Sequence, residues 1–350
     1  MHAWAGATGM AVSIKDIARA AGVSHSTVSR ALSGSSLVRE ETKERIQLLA
    51  KEMGYSPDAQ ARSLVMGRTQ TIGVVVTTIT DPFIAEIVES IENTAQRRGY
   101  SVILASSQSE PEREIAAVEI LHSKRVDGVI VASSRVGAYY QAHLERLRVP
   151  VVLVNSRSEQ RGPYTFSVSV DNHHGGYLAT RHLVDAGHRR IAYVSGAPDH
   201  SDDLARMEGY RQALREAGID ADPALLVPGT GRIGGGERAL PALLALSDRP
   251  TAVFCYNDMT AIGLLQAARK KGVSIPSDLA VVGFDDIPLA SFVVPSLSTV
   301  VQPKRRLGQR ATEMVLDLLL GSRQAKGTLS NVTMQGKLTI RESSGGSRAQ

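Results

Sequence analysis

One cysteine in 350 residues excludes a disulfide framework, and its setting in the apolar run TAVFCYN makes Cys255 a buried small hydrophobe rather than a nucleophile. No apolar run approaches the roughly 20 residues that a bilayer-spanning helix requires, so no membrane partner is expected. The opening MHAWAGATGM lacks a basic segment followed by an apolar stretch; no secretory signal is read, and a cytoplasmic protein is expected. Residues 1–12 show no periodicity and are expected to form a disordered extension. Low-complexity sequence is confined to SSGGSRAQ at 343–350, read as a tail, and the absence of a leucine heptad gives no reason to expect assembly beyond a dimer. No catalytic or metal-ligating constellation is legible: His173, His174 and His182 lack carboxylate support, and His182 reads as helix surface. No catalytic residue, metal or cofactor is therefore expected.

What is present fits a soluble, multi-domain chain. Apolar residues make up 43% and charged residues 21%, and the length exceeds one ordinary core. Net charge is only +5, yet residues 1–70 hold nine Lys/Arg against six Asp/Glu, a mild excess that permits a polyanionic partner.

Up to Tyr55 the apolar positions Ile14, Ile17, Ala18 and Ala21, then Val28 and Leu32, then Ile46, Leu49 and Ala50 fall at helical spacings and predict three short helices. From Thr71 the texture changes to β-branched runs alternating with amphipathic stretches: TIGVVV, YSVILAS, DGVIVAS, VPVVLVN, FSVSV, RIAYVSG, ALLVP, TAVFCYN and LAVVGF. Strands alternating with helices predict parallel sheets, and their number exceeds one doubly wound sheet, which predicts two similar lobes. The break between them is expected at the polar segment SRSEQRGPY, residues 156–164. LSTVVQP, a helix from Lys304 to Leu320 and VTMQGKLTI should return to complete both lobes.

The segment IKDIARAAGVSHSTVSRALSG reads as helix, turn, helix. Gly22 suits the turn, Ser24 caps the second helix, and Ala18, Val23, Val28 and Leu32 pack the pair. The second helix then exposes His25, Ser26, Ser29 and Arg30, short polar groups and a guanidinium able to fork onto a guanine edge.

AAGVSHSTVSRALSG and the following KEMGYSPDAQARSLVMGRT resemble the lac-repressor/galactose-repressor (LacI/GalR) family, and the likeness continues through DPF, VDNHHGG, ARMEGY, YNDMTAIG and VVGFDDIP. The resemblance implies a transcriptional regulator, a repressor by default, that binds operator DNA as a homodimer under control of a small sugar-like or nucleobase-like effector. It implies base contacts from His25, Ser26 and Arg30, and phosphate contacts from Ser24, Thr27 and Ser29. It also makes residues 56–68 a hinge helix, bearing Ala61 and Leu64, with Leu64 wedged into the minor groove. One departure is Arg39, where a Ser or Asn cap is usual; Glu40 and Glu41 can compensate through the helix dipole.

Polar residues that follow strands are where open α/β sheets bind ligands. Asp81 and Phe83 follow the first run, Asp171 ends FSVSV, Arg206 lies on the helix after RIAYVSG, Asn257 and Asp258 follow TAVFCY, and Asp285 and Asp286 follow AVVGF. Carboxylates, an amide and a guanidinium suit a ligand with several hydroxyls. The resemblance places Phe83, Asp171, Arg206, Asn257 and Asp285 in a cleft between lobes; Asp258 and Asp286 read as structural. Where the family often stacks an aromatic on the ligand this chain has Gly231, so stacking is expected from Phe83 or Phe292, or the ligand needs little of it.

Two other readings compete. GTGRIG at 229–234 fits the dinucleotide fingerprint literally, but it lies late in the chain, and the acidic residue it needs is at best Asp248, in a turn. A solute-binding protein would share the two lobes but has no use for residues 14–68. The expected architecture is thus α/β: an all-α helix-turn-helix domain (13–55), a hinge (56–70) and a periplasmic-binding-protein-like domain (71–342) of two doubly wound parallel sheets. Lobe one is expected over 71–162 and 293–324, lobe two over 163–292 and 325–342.

Overall fold

The computed structural model describes residues 12–55, 67–133, 149–155, 165–196, 200–320 and 331–345. The chain divides into two compact units at Thr69 and Gln70. The expected hinge residues Ala61 and Leu64 lie outside the described residues.

The first unit contains α1 (Ile14–Ala21), α2 (His25–Leu32) and α3 (Glu40–Glu52). The Asp16 carboxylate accepts from both the backbone N and the hydroxyl of Ser13 and so fixes the start of α1. Gly22 ends α1 at φ +66°, the left-handed geometry that a side chain resists. Ser24 caps α2 by accepting from the Thr27 backbone N–H at 3.1 Å. Arg39 occupies the N-cap of α3 and makes no cap bond, with Glu40 and Glu41 in the first turn. Ile17, Val28 and Ile46, all fully buried, form the centre of this small core, and burying each contributes about 1.5–3 kcal/mol.

The second unit holds two six-stranded sheets among the described residues. In the first, β1 (Thr71–Val76), β2 (Ser101–Ser106), β3 (Gly128–Ala132), β4 (Val151–Val154), β5 (Thr165–Val170) and β11 (Val332–Met334) run in the order β11-β5-β4-β3-β1-β2. Helices α4 (Pro82–Arg97), α5 (Pro111–Ser123) and α11 (Lys304–Leu319) cover it. In the second, β6 (Ile191–Val194), β7 (Leu226–Val227), β8 (Ala252–Cys255), β9 (Ala280–Asp285), β10 (Ser298–Val301) and β12 (Lys337–Thr339) run in the order β12-β10-β9-β8-β6-β7. Its helices include α6 (Asn172–Asp185), α7 (Ser201–Glu216), α8 (Ile233–Leu244), α9 (Asp258–Lys271) and the short α10 (Leu289–Phe292). Among the described strands only β12 pairs antiparallel. The alternation of strand and helix thus yields two doubly wound lobes, as the sequence predicts.

The lobe boundaries differ from expectation. Residues 156–164 lie outside the described residues, and β4 and β5 on either side of them pair with each other in sheet one, so the first crossing falls at 170–172. Likewise β10 pairs with β9 in sheet two, and α11 then returns to pack on α4, giving a second crossing at 301–304. The third falls between β11 and β12, at 334–337. Strand pairing is a long-range choice, and a polar loop within a lobe has the same composition as a link between lobes. The tail also begins later than expected. Ser343 is fully buried, donating to the Val281 carbonyl and accepting from the Ser298 N–H, so SSGG starts as part of lobe two. His182, expected on the surface, is half-buried and hydrogen-bonded to Ser344 at 2.8 Å.

Candidate functional site

On the first unit, burying Val28 and Ala31 turns His25, Ser26 and Arg30 to solvent, while Thr27 and Ser29 are half-buried beside them. The amphipathic period alone makes this division, and it leaves a polar face with one exposed guanidinium on a helix two turns long. Such a helix fits the major groove of a duplex, which admits a single helix and presents distinct donor and acceptor patterns.

On the second unit, the carboxyl ends of both sheets face one cavity of about 140 Å³, room for a small metabolite. Five of the seven residues expected there line it: Asp81 and Phe83 from lobe one, Arg206, Asn257 and Asp285 from lobe two. Asp81 caps α4, accepting from the Phe83 N–H at 2.9 Å, and burial raises its carboxyl above the usual range. Asn257 caps α9 through Thr260 and donates its amide to the Gly231 carbonyl at 2.9 Å. Arg206 is almost fully buried. Its Nε donates to Asn172 Oδ1 at 2.9 Å and one terminal nitrogen to the Tyr256 carbonyl at 2.7 Å, while its Cζ lies 3.7 Å from the Phe284 ring centroid. The same nitrogen stands 3.9 Å from Asp285.

Asp171 and Phe292 do not line the cavity. Asp171 follows a strand, as expected, but that strand ends at a crossing. Its backbone N–H bonds Met334 across two crossing segments, and its carboxylate caps α6 through His174 and accepts from Gln335. Phe292 is 80% exposed, because α10 buries Ala290 and turns the ring outward. Sequence reasoning missed Asn155, Thr78, Ser109, Ser133, His200, Asp202, Arg232 and Tyr256, all of which line the cavity. Ser109, Ser133 and Asn155 follow β2, β3 and β4, so the rule that found Asp81 would have found them if applied to every strand. Their φ values of +64°, +59° and +50° mark the bends at which the chain leaves the sheet.

Asp285 joins the cleft to the crossings. Its φ of +118° is strained for any side chain, and Lys304 holds its carbonyl at 3.0 Å while also bonding the Asp286 carbonyl and pairing with Glu86 of lobe one. Gln302, on the second crossing, donates to the Asp285 carboxylate at 2.7 Å and accepts from Asn155 of lobe one at 3.0 Å. Burial pushes the Asp285 carboxyl up to about 7, and burial likewise raises that of Asp258, which accepts from Thr299 and the Ile287 N–H and is structural, as expected. Asp286, also expected to be structural, pairs with Arg341 at 2.7 Å.

The unfolded chain releases the Asp285 proton near the ordinary value of 3.8 and the folded one near 7. The folded state therefore binds the extra proton between them, and stability falls as pH rises through that window. Asp285→Asn, neutral at every pH, should flatten the decline in melting temperature between pH 4 and 7; an unchanged slope would assign the decline to other groups.

In GTGRIG, Gly229 is required by packing and Gly231 by its left-handed φ of +68°. A Cβ at Gly229 would stand 2.1 Å from the Ser195 carbonyl, and the segment follows a two-residue edge strand. Asp248 is an ion-pair partner of Arg190.

Residues 13–58 match the model described as bacterial regulatory proteins, lacI family, and residues 180–344 that of a periplasmic binding protein-like domain. An HTH-type transcriptional repressor PurR of Erwinia tasmaniensis is 39% identical over 316 residues, 90% of this chain and 93% of that protein. The chain belongs to the lacI family of bacterial regulatory proteins. A second PurR repressor, from Vibrio atlanticus, is 38% identical over 87% of this lacI-family chain and 91% of its own. The solved lac repressor dimer bound to operator and the anti-inducer ONPF superposes with a TM-score of 0.85 at 27% identity, covering 95% of this chain and 99% of that one. The CelR–cellobiose complex superposes at 0.70 with 30% identity over the same 95% of this chain and 99% of that one. This lacI-family protein is a DNA-binding transcriptional repressor with an effector-binding domain. Among its described residues no helix is long and apolar enough to cross a membrane.

Proposed function

We propose that the protein represses transcription as a homodimer on a two-fold related operator, and that a polyhydroxylated, sugar-like ligand in the cleft is the inducer that releases it. The observation that carries this reading is the donor and acceptor set converging on the cavity: Asp81, Asn257, Asp285 and Arg206, drawn from both lobes. Carboxylates accept from neighbouring hydroxyls in pairs, and a guanidinium donates along a fixed fork; together they orient a ring bearing several hydroxyls. A ligand touching both lobes shifts their equilibrium only by its differential affinity for the two arrangements. Asp285, tied through Gln302 to Asn155 and through its carbonyl to Lys304, carries that preference into the crossings. The cleft binds its ligand without turning it over, and the protein acts where the chromosome is, in the cytoplasm.

On the DNA side, His25, Ser26 and Arg30 read bases and Ser24, Thr27 and Ser29 hold phosphates. Ala61 and Leu64 act in the minor groove. Arg30→Ala should relax preference at a single operator position by about 1–3 kcal/mol; a binding-site selection that returns the wild-type profile would remove Arg30 from the reading set.

Phe292 and Val294, 80% and 75% exposed, with Leu289 beside them, suit a subunit contact better than solvent. Phe292→Asp should shift sedimentation toward monomer at micromolar concentration and weaken operator binding. A variant still dimeric at that concentration would move the interface elsewhere.

The ligand class is tested by melting temperature against individual sugars, because a compound that prefers the native state raises it. A shift with a nucleobase and none with any sugar would replace the sugar reading.

A further inference from the structure

The cavity has no side chain at Gly231, and Phe83, 6% exposed, belongs to the core of lobe one. One half-buried aromatic ring lining the cavity is that of Tyr256, which follows β8 and is tied to β6 by its backbone N–H to Val194 at 2.8 Å. Two glycines leave the space it fills. A Cβ at Gly196 would stand 2.8 to 2.9 Å from its ring carbons, closer than real contacts allow, and one at Gly231 would stand 3.3 Å away. The Arg206 guanidinium lies 4.6 Å from the ring centroid, and His200 meets the ring edge-on at 6.4 Å. The cation against the ring fixes its orientation, and the ring lines the cavity.

We propose that Tyr256 is the stacking platform of the cleft and a specificity-determining residue, receiving the C–H face of a sugar ring. The absent side chain at 231 and the ring at 256 are two halves of one arrangement: the glycine makes room for the tyrosine. The inference rests on the sugar-binding reading of the cleft, and it puts selection among sugars on which ring face carries its hydrogens. Arg206, Asp81 and Asp285 meet the hydroxyls at the rim, and the Tyr256 ring meets the apolar face.

Calorimetric titration of ribose, xylose, glucose, galactose and cellobiose into the full-length wild type and its variants tests this. At least one sugar should bind the wild type. Tyr256→Phe keeps the ring and should bind that sugar within about threefold, whereas Tyr256→Leu, of similar apolar bulk, should bind it about tenfold or more weakly. Gly196→Ala, which displaces the ring without removing it, should also weaken binding. Melting of each unliganded variant shows that it is folded. If Tyr256→Leu binds as the wild type does while Arg206→Lys loses the sugar, the platform is overturned and the sugar reading stands. Equal losses for Phe and Leu overturn stacking in favour of the hydroxyl. If no sugar binds the wild type, both readings fall together.

Discussion

Arg206→Lys is expected to lower affinity for the cleft ligand by about a hundredfold, close to 3 kcal/mol, while leaving operator binding in its absence near the wild-type value. The arginine serves Asn172 and the Tyr256 carbonyl at once, at 2.9 and 2.7 Å, with its Cζ 3.7 Å from the Phe284 ring centroid. Lysine offers a single rotatable ammonium and no plane, so it cannot hold both partners and still donate to a ligand. Each bond to a charged donor is worth about 1.5–3 kcal/mol, so the unliganded protein should also melt several degrees lower. The two effects separate by titration: below the lowered melting temperature the variant is folded, and its loss of ligand affinity is then a property of the site. An affinity equal to that of the wild type would remove Arg206 from the binding set.

Gly209→Ala should give a large loss of stability. Helices α6 and α7 cross so closely that a Cβ at Gly209 would stand 2.0 Å from the His173 carbonyl oxygen, and one at Gly176 would stand 2.2 Å from that of Arg206. Backbone atoms cannot swing aside as a side-chain tip can, so the helices must part, at a cost of about 3 kcal/mol or more. Gly176→Ala should cost a similar amount and in addition lower ligand affinity, because the backbone it pushes on carries Arg206. Denaturant midpoints for the two variants check the first expectation, and titration of the folded fractions checks the second. Midpoints within a few tenths of the wild type would mean that the helices separate freely.

The first unit was legible because its signals are local. Gly22 at the turn, Ser24 at the cap and the spacing of Ile17, Val28 and Ile46 each act within a few residues, and together they fix which face of α2 meets solvent. In the second unit the strands were legible and their partners were not. FSVSV reads the same whether it opens lobe two or closes lobe one; only its pairing with β4 decides, and that contact is between distant segments. The same ambiguity explains Asp171. An acidic residue after a strand describes Asp81 and Asp171 equally well, but the strand before Asp171 leads into a crossing, so the carboxylate meets Gln335 instead of the cavity. Phe292 was misplaced because apolarity identifies a residue that wants a partner without saying on which side of a four-residue helix the partner lies. Tyr256 was passed over because the sequence drew attention to the residue missing at 231, and the contact between the two positions exists only in three dimensions.

The central claim is that occupancy of the cleft alters the grip on DNA. It is tested most directly by fluorescence anisotropy of the full-length protein on a palindromic duplex obtained by selection, titrated with and without the sugar that raises its melting temperature. The expected result is an operator affinity changed about tenfold or more by sugar that just saturates the wild type, with a much smaller change in Arg206→Lys at the same sugar concentration. Superimposable isotherms with and without sugar, in a protein shown to be saturated with it, would contradict the account.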